Sequence, residues 1–272
     1  QKRGMLFPLL FLFLAVNLCA FLFGQNELLN TVEFEVRSDK LSSPITIVQI
    51  SDLHEKSFGP ENSGLLEAVR SAKPDMIAVT GDMIFNSYTA SPNLSYIEEL
   101  AKGCAEIAPT FFVTGNHDRY HSQAVKKAFS QNGVTVLSGE TIPVIIGGNR
   151  LIIGGIDDPD IDADSLERID FPAGKDFCLL LAHRPGAFEQ YAAAGAELVL
   201  CGHTHGGQIR LPWTKAIFYS DGGFFPEYSD GLYTLDGSSM VISMGLGSSV
   251  IPFRLFALPE VTVVHLLPEP AG

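Results

Sequence analysis

The sequence predicts an α/β (α+β) domain of two packed sheets with helices outside, preceded by one helix long enough to cross a membrane. Three observations predict it. From residue 45 onward, short β-branched runs alternate with helical stretches, the pattern of layered sheets and helices. The second half of the chain is richer in strands than the first. Met5 to Phe23 is an unbroken apolar run.

That run, MLFPLLFLFLAVNLCAFLF, carries no charge and one weakly polar residue, Asn17. Nineteen residues at about 1.5 Å rise match a hydrocarbon core. Pro8 is expected in the first helical turn, where its missing N–H costs nothing. Lys2 and Arg3 precede the run, Glu27 follows it, and the next basic residue is Arg37. This asymmetry predicts a single-pass cell-membrane protein with a cytoplasmic N-terminus and the rest of the chain extracytoplasmic. A cleaved signal segment has the same charge order but a shorter core and an A-x-A-like site, which is not evident near Cys19–Gly24. A buried core helix is the third reading. Residues 1–24 are therefore read as a transmembrane anchor or signal segment, 25–44 as a polar connector, 45–267 as the domain and 268–272 as a tail.

Within the domain, 45–51 (ITIVQIS) reads as a buried strand, 62–72 as a helix and 76–80 (MIAVT) as a second strand. Ser91-Pro92 is expected to open a helix through Glu106, with proline at its first position. A third strand follows at 110–114, then a helix over 121–131 stopped by Gly133. VTVL (134–137), PVIIG (143–147) and RLIIGG (150–155) read as a meander. Asp164 and Glu167 have capping-box spacing. Strands at 177–183 and 196–202 flank a helix at 186–195, and strands at 231–235, 240–245 and 261–267 complete the set.

The net charge is −13, and setting aside Lys2 and Arg3 leaves −15 on the remainder. With no basic stripe, this counts against a partner of long nucleic acid and leaves small phosphoesters open. Acidity also suits a multivalent cation, although solubility alone accounts for it. The four cysteines form no C-x-x-C pair, which excludes zinc ribbons and thioredoxin motifs. Cys104, Cys178 and Cys201 read as buried free thiols.

Five segments stand at strand exits: Ser51-Asp52-Leu53-His54, Gly81-Asp82, Gly115-Asn116-His117-Asp118, Ala182-His183-Arg184-Pro185 and Gly202-His203-Thr204-His205-Gly206-Gly207. Their Asp, Asn and His side chains are O and N donors suited to Mn, Fe, Zn or Co. In extended backbone, Asp52/His54 and His203/His205 would each point to one side and grip one site. The glycines permit tight turns and close approach to an anion. Each segment alone is an ordinary strand exit; all five in one order are not.

In that order the segments resemble the calcineurin-like metallophosphoesterases, whose pattern is D-x-H, G-D, G-N-H-D/E, a lone His and G-H-x-H. The resemblance covers about 45–267. S-D-L-H, G-H-T-H-G-G-Q, the G-L-G tract at 245–247 and the run RLFALPEVTV at 254–263 resemble a membrane-associated or exported bacterial branch. The resemblance implies a four-layer α/β/β/α sandwich and two divalent ions (Mn, Zn or Fe). It implies Asp52, His54 and His205 on the first metal, Asn116, His183 and His203 on the second, and Asp82 bridging both. His117 would be no ligand but the general acid, or a cation stabilising the transition state. The implied reaction is phosphodiester or pyrophosphate hydrolysis by water activated between the ions and attacking phosphorus in line. The implied substrate is small or membrane-borne, with a nucleotide-sugar lipid of the UDP-diacylglucosamine type as one candidate. The alternative is a non-catalytic envelope-binding module on the same scaffold, against which the retained His117 speaks.

Departures narrow the reading. Gly81-Asp82-Met83-Ile84-Phe85-Asn86 lacks the second Asp and the Arg of the protein-phosphatase branch, which disfavours that activity. Lys56 is expected in solvent, and Arg184 either on a phosphate or in a surface pair. Asp157, Asp158, Asp160, Asp162 and Asp164 lack the glycine and terminal glutamate of an EF-hand and read as a solvated loop. The aromatic stretch Trp213 to Tyr228 is either core or a lipid- or sugar-facing mouth.

Overall fold

The structure, a computed structural model, describes residues 2–85, 92–211, 213–219, 222–249 and 251–270. In chain order it contains α1 (Lys2–Gly24), β1 (Asn30–Ser38), β2 (Ile45–Ile50), α2 (Ser63–Ser71), β3 (Met76–Thr80), α3 (Ser95–Ile107) and β4 (Thr110–Val113). Next come α4 (Ser122–Gln131), β5 (Thr135–Val136), β6 (Glu140–Ile146), β7 (Asn149–Gly155), β8 (Phe177–Leu181), α5 (Phe188–Ala193) and β9 (Leu198–Cys201). The chain ends with β10 (Phe218–Tyr219), β11 (Gly223–Phe224), β12 (Gly231–Leu235), β13 (Ser238–Ile242) and β14 (Glu260–Pro268).

Strand alternation builds the layers. In β2, Ile45 and Ile47 face one way and Val48 and Ile50 the other, and all four are buried. Burial on both faces requires cover on both, and each such side chain contributes about 1.5–3 kcal/mol. The first sheet runs β1-β14-β2-β3-β4-β5 and the second β12-β13-β9-β8-β7-β6. Between them Ile47, Ala78 and Val113 meet Leu151, Leu179 and Leu200 in one core. Leu65, Ile97, Leu100 and Phe129 on α2, α3 and α4 cover the outer face of the first sheet, where Phe112 and Phe129 stack at 4.0 Å. Phe188 and Tyr191 on α5 cover the second sheet over Leu180 and Val199. The result is the four-layer α/β/β/α sandwich.

β2, β3 and β4 are parallel, as are β7, β8, β9 and β13. The carboxyl ends of both central sets carry the motif loops, the usual place for a site in an open α/β sheet.

Several expectations change. The stretch expected as a polar connector contains β1, an edge strand parallel to β14 that alternates Val32, Phe34 and Val36 with Glu33, Glu35 and Arg37. VTVL does not open a meander: β5 lies parallel to β4 in the first sheet, because α4 crosses over between them. β6 and β7 form the true hairpin, turned by Gly147 (φ 53°) and Gly148 (φ 81°), which suit a two-residue loop with both φ positive. Ser91 lies outside the described residues. α3 starts at Ser95, past Pro92, where Asn93 Oδ1 accepts from Ser95 N at 3.1 Å. Pro8 sits beyond the first turn of α1 because that helix begins at Lys2. Asp164 makes no side-chain cap on the short 3-10 turn at Leu166–Arg168.

The acidic stretch is solvated only in part. Asp157 is buried, accepting from Lys126 Nζ at 2.6 Å and Thr114 Oγ1 at 2.6 Å. Asp158 is buried against Arg184, whose Nε and Nη2 donate at 2.8 and 3.1 Å.

Candidate metal centre

Five loops bring the predicted donors together. Asp52 and His54 follow β2, Asp82 follows β3, Asn116 follows β4, His183 follows β8, and His203 and His205 follow β9. Asp52, His54 and His205 form one group, and Asp82, His183 and His203 another, each with donor atoms within 4.8 Å of one another. The Asp82 carboxylate joins them, with Oδ2 at 3.3 Å from His183 Nε2 and 3.7 Å from His54 Nε2. Asn116 Oδ1 lies 3.2 Å from His183 Nε2 and 2.9 Å from His203 Nδ1.

The convergence does not come from extended backbone. Asp52, His54, Asp82, His203 and His205 all hold positive φ, between 49° and 75°. Such left-handed residues cost about 1–3 kcal/mol each and persist where the surroundings enforce them. Here Asp52 N donates to Gly81 O at 2.9 Å and His54 N to Asp82 O at 3.1 Å, which ties the first loop to the second. Close approach does the rest: a Cβ on Gly202 would lie 2.2 Å from Asp52 Oδ2, and one on Gly115 would lie 2.2 Å from Asp82 Oδ1.

Second contacts aim the imidazoles. His54 Nδ1 donates to Ile84 O at 3.2 Å and His183 Nδ1 to Thr80 O at 2.7 Å. In the neutral ring this leaves each Nε2 as a lone pair turned into the cluster. His54 Nε2 and His205 Nε2 face each other at 3.1 Å, and His205 Nε2 lies 3.5 Å from Asp52 Oδ1. Two ring nitrogens and a carboxylate oxygen crowded this way, all buried, form a donor set that a divalent cation would satisfy.

The electrostatics are strained in the same sense. Burial lowers His54 to about 4 despite Asp82 and Asp52. Burial also lowers His205, helped by His54 and Arg254. At His183 burial pulls downward, but the adjoining Asp82 overrides it and pushes the ring up to about 10. Burial works to raise Asp82, and His183, His54 and His117 outweigh it, holding that carboxyl well below its usual range.

His117 is half-buried, with its ring 4.7 Å from that of His54. Its backbone N–H donates to Asp82 Oδ1 at 2.8 Å and its Nδ1 to Phe85 O at 3.0 Å. The structure groups it with His54 and Asp82, so position alone places it within reach of a metal as well as of substrate. It lines a cavity of about 250 Å³ together with Asn116, His203, Phe218, Tyr219 and Ile251.

The sequence assigns no role to two supporting residues, although Asp118 closes the G-N-H-D segment and Arg254 opens the run at 254–263. Asp118 is fully buried and accepts from the N–H groups of Asp82 (3.0 Å), Met83 (3.0 Å), Ile84 (3.4 Å) and Gly115 (2.9 Å), fastening two loops together. Burial and Asp82 push its pKa up to about 7. Arg254 is also fully buried; it donates to Gly247 O (2.9 Å), Ala257 O (3.0 Å) and Met244 O (2.9 Å), and lies 3.1 Å from His205 Nδ1. Lys56, expected in solvent, is half-buried and pairs with Glu27 at 3.0 Å. Arg184 pairs with carboxylates, but not at the open surface: it holds the buried Asp158 and reaches Asp160 at 3.0 Å. In the aromatic stretch, Trp213, Phe218, Phe224 and Phe225 are exposed and not core.

Residues 45–207 match the family described as Calcineurin-like phosphoesterase. The metallophosphoesterase YkuE of Bacillus subtilis (strain 168) is 30% identical over 253 residues, 88% of this chain and 86% of its own. The phosphodiesterase YaeI of Escherichia coli (strain K12) is 29% identical over 240 residues, 83% of each chain. Among solved structures, the phosphopantetheinyl hydrolase PptH of Mycobacterium tuberculosis aligns with 75% of this chain and 90% of its own, at TM-score 0.48 and 12% identity. With the family match spanning the loops that carry the clustered donors, the chain belongs to the calcineurin-like phosphoesterases and is a phosphoester hydrolase with a divalent-metal centre.

Proposed function

We propose that the chain hydrolyses phosphodiester or pyrophosphate bonds of a small or lipid-linked substrate, using two divalent ions of Mn, Zn or Fe. Asp52, His54 and His205 would hold the first ion and Asn116, His183 and His203 the second, with Asp82 shared. The observation that carries this reading is the Asp82 carboxylate, which stands within reach of both donor groups. When bound, such a pair lowers the pKa of water and offsets phosphoryl charge.

The chain's own residues supply the rest. With Nδ1 donating to Phe85 O, His117 would act as an acid in its doubly protonated form, giving the Nε2 proton to the leaving oxygen at the cavity. A positioned acid contributes typically ~10²–10⁴-fold. Asp118 keeps Asp82 and Asn116 in register, because one carboxylate binds the backbone of both loops. Helix α1 is read as a membrane anchor with the catalytic domain extracytoplasmic, a placement that favours lipid-linked phosphoesters over cytosolic nucleotides.

The test strips the full chain of metal in detergent, restores Mn, Zn or Fe, and follows an aryl phosphodiester and an aryl monoester. Metal-dependent turnover that His117→Ala abolishes, with metal content unchanged, supports the reading. Stoichiometric metal with no turnover of either ester overturns it.

A further inference from the structure

Helix α1 is joined to the rim of the metal cavity. Its apolar side chains from Leu9 to Phe23 are largely uncovered by the rest of the chain, and it is long and apolar enough to cross a membrane. Immediately after it, Gln25 Oε1 accepts from Phe256 N at 2.8 Å, and Asn26 Oδ1 accepts from Arg254 N at 2.9 Å. Lys56, two residues past His54, donates to Asn26 O and pairs with Glu27. The rings of Phe21 and Phe256 meet edge to face at 6.1 Å.

The apolar surface continues from there toward the cavity. Leu255 bridges Ile209 in parallel, which sets the segment carrying Phe256 beside the segment carrying Leu211. Leu211 shares an apolar hollow with Ile217 and Phe225. Phe225 follows Phe224, whose ring stands 5.0 Å from that of Phe218, and Phe218 lines the metal cavity. Along this path Trp213 is 101% exposed, Phe225 79% and Phe224 74%. Water-facing aromatics in a continuous run mark a contact surface.

We propose that the rim formed by Leu211, Trp213, Phe224, Phe225 and Phe256 is a second membrane-docking element, inserted at the bilayer interface beside the exit of α1. The occupant is a lipid surface because Phe256 of the rim is hydrogen-bonded to Gln25 and ring-packed on Phe21 at the end of α1, the helix read as a membrane anchor; the docking surface rests on that reading. Aromatic rings suit headgroup depth. A chain of net charge −13 gains nothing from anionic lipid, so the contact is apolar and insensitive to salt. Docked in this way, the cavity opens at headgroup depth, where the phosphoester of an amphiphile lies while its chains stay in the bilayer. That substrate class rests on the hydrolase reading; the docking surface does not.

Trp213 is the only tryptophan in the chain, so its emission reports the rim alone. The full chain is reconstituted into phosphatidylcholine vesicles with and without brominated acyl chains. The expected result is a blue-shifted emission quenched by the brominated lipid, shielded from aqueous iodide and unchanged in high salt. In Phe224→Ser/Phe225→Ser the vesicles should still carry the chain by flotation, with iodide quenching increased and bromolipid quenching reduced. A chain that floats with the vesicles while Trp213 stays open to iodide and untouched by brominated lipid overturns the proposal, as does a chain that does not float. No turnover enters the readout, so a catalytically silent chain that docks leaves this surface standing and removes only the hydrolase reading.

Discussion

Replacing Asp118 by asparagine tests how the centre is held. Its Oδ1 accepts from Met83 N and Ile84 N, and its Oδ2 from Asp82 N and Gly115 N. A carboxamide offers one acceptor oxygen and one NH2 group, which only donates. Whichever way it turns, two backbone N–H groups face an NH2 group and lose their partner. Bonds to a charged acceptor are worth about 1.5–3 kcal/mol each, so the gross loss is about 3–6 kcal/mol. Part returns, because the buried carboxylate is itself unfavourable; burial and Asp82 raise its pKa to about 7. The net destabilisation expected is about 2–4 kcal/mol, which for a chain of this size lowers Tm by roughly 5–15 °C. Calorimetry on the metal-stripped full chain in detergent isolates this term from lost metal. Reloading then reads the geometry: with Asp82 and Gly115 released from one another, metal content at equal free metal should fall. A variant that melts within about a degree of the parent and reloads fully would refute the idea that this carboxylate holds the two loops.

Gly202→Ala drives a Cβ to 1.9 Å from Ser51 Oγ and 2.2 Å from Asp52 Oδ2, so metal affinity should fall by about 10–100-fold in a competition titration, and unchanged affinity contradicts the packing argument. Arg254→Met leaves the carbonyls of Met244, Gly247 and Ala257 without their donor and should destabilise by about 3–5 kcal/mol in urea unfolding. Arg254→Lys should recover little of this, since one ammonium cannot span a guanidinium fork; full recovery would show that charge alone matters. Burial pushes the thiols of Cys104 up to about 12 and Cys178 up to about 11 and also raises Cys201, so thiolate is scarce at neutral and mildly alkaline pH. A thiol reagent should therefore label none of the three in the folded chain and all of them on unfolding, as mass spectrometry will show.

Much of the fold was legible because its signals are local. The buried strands around Ile47, Val79 and Phe112 announce themselves by apolar composition, and the helices between them by their spacing. β1 is not legible in the sequence although Val32, Phe34 and Val36 alternate with charges, because a half-buried edge strand is stable only against β14, more than two hundred residues away. β5 was legible as a strand but not in its sheet, since pairing is a non-local choice. The acidic stretch looked solvated because its partners, Lys126 and Arg184, arrive from other elements.

Taken alone, the sequence determined which donor types exist, in what order, and that each leaves a strand, because residue identity and strand propensity are properties of short segments. Only the tertiary structure decided that Asp52, Asp82 and His203 meet. That meeting depends on parallel strands from two sheets ending at one edge, and on left-handed turns held by hydrogen bonds between loops far apart in the chain. The same holds for Arg254, an ordinary cation in the sequence that the fold buries beside His205, forty-nine residues earlier, where the carbonyls of Met244, Gly247 and Ala257 replace its water.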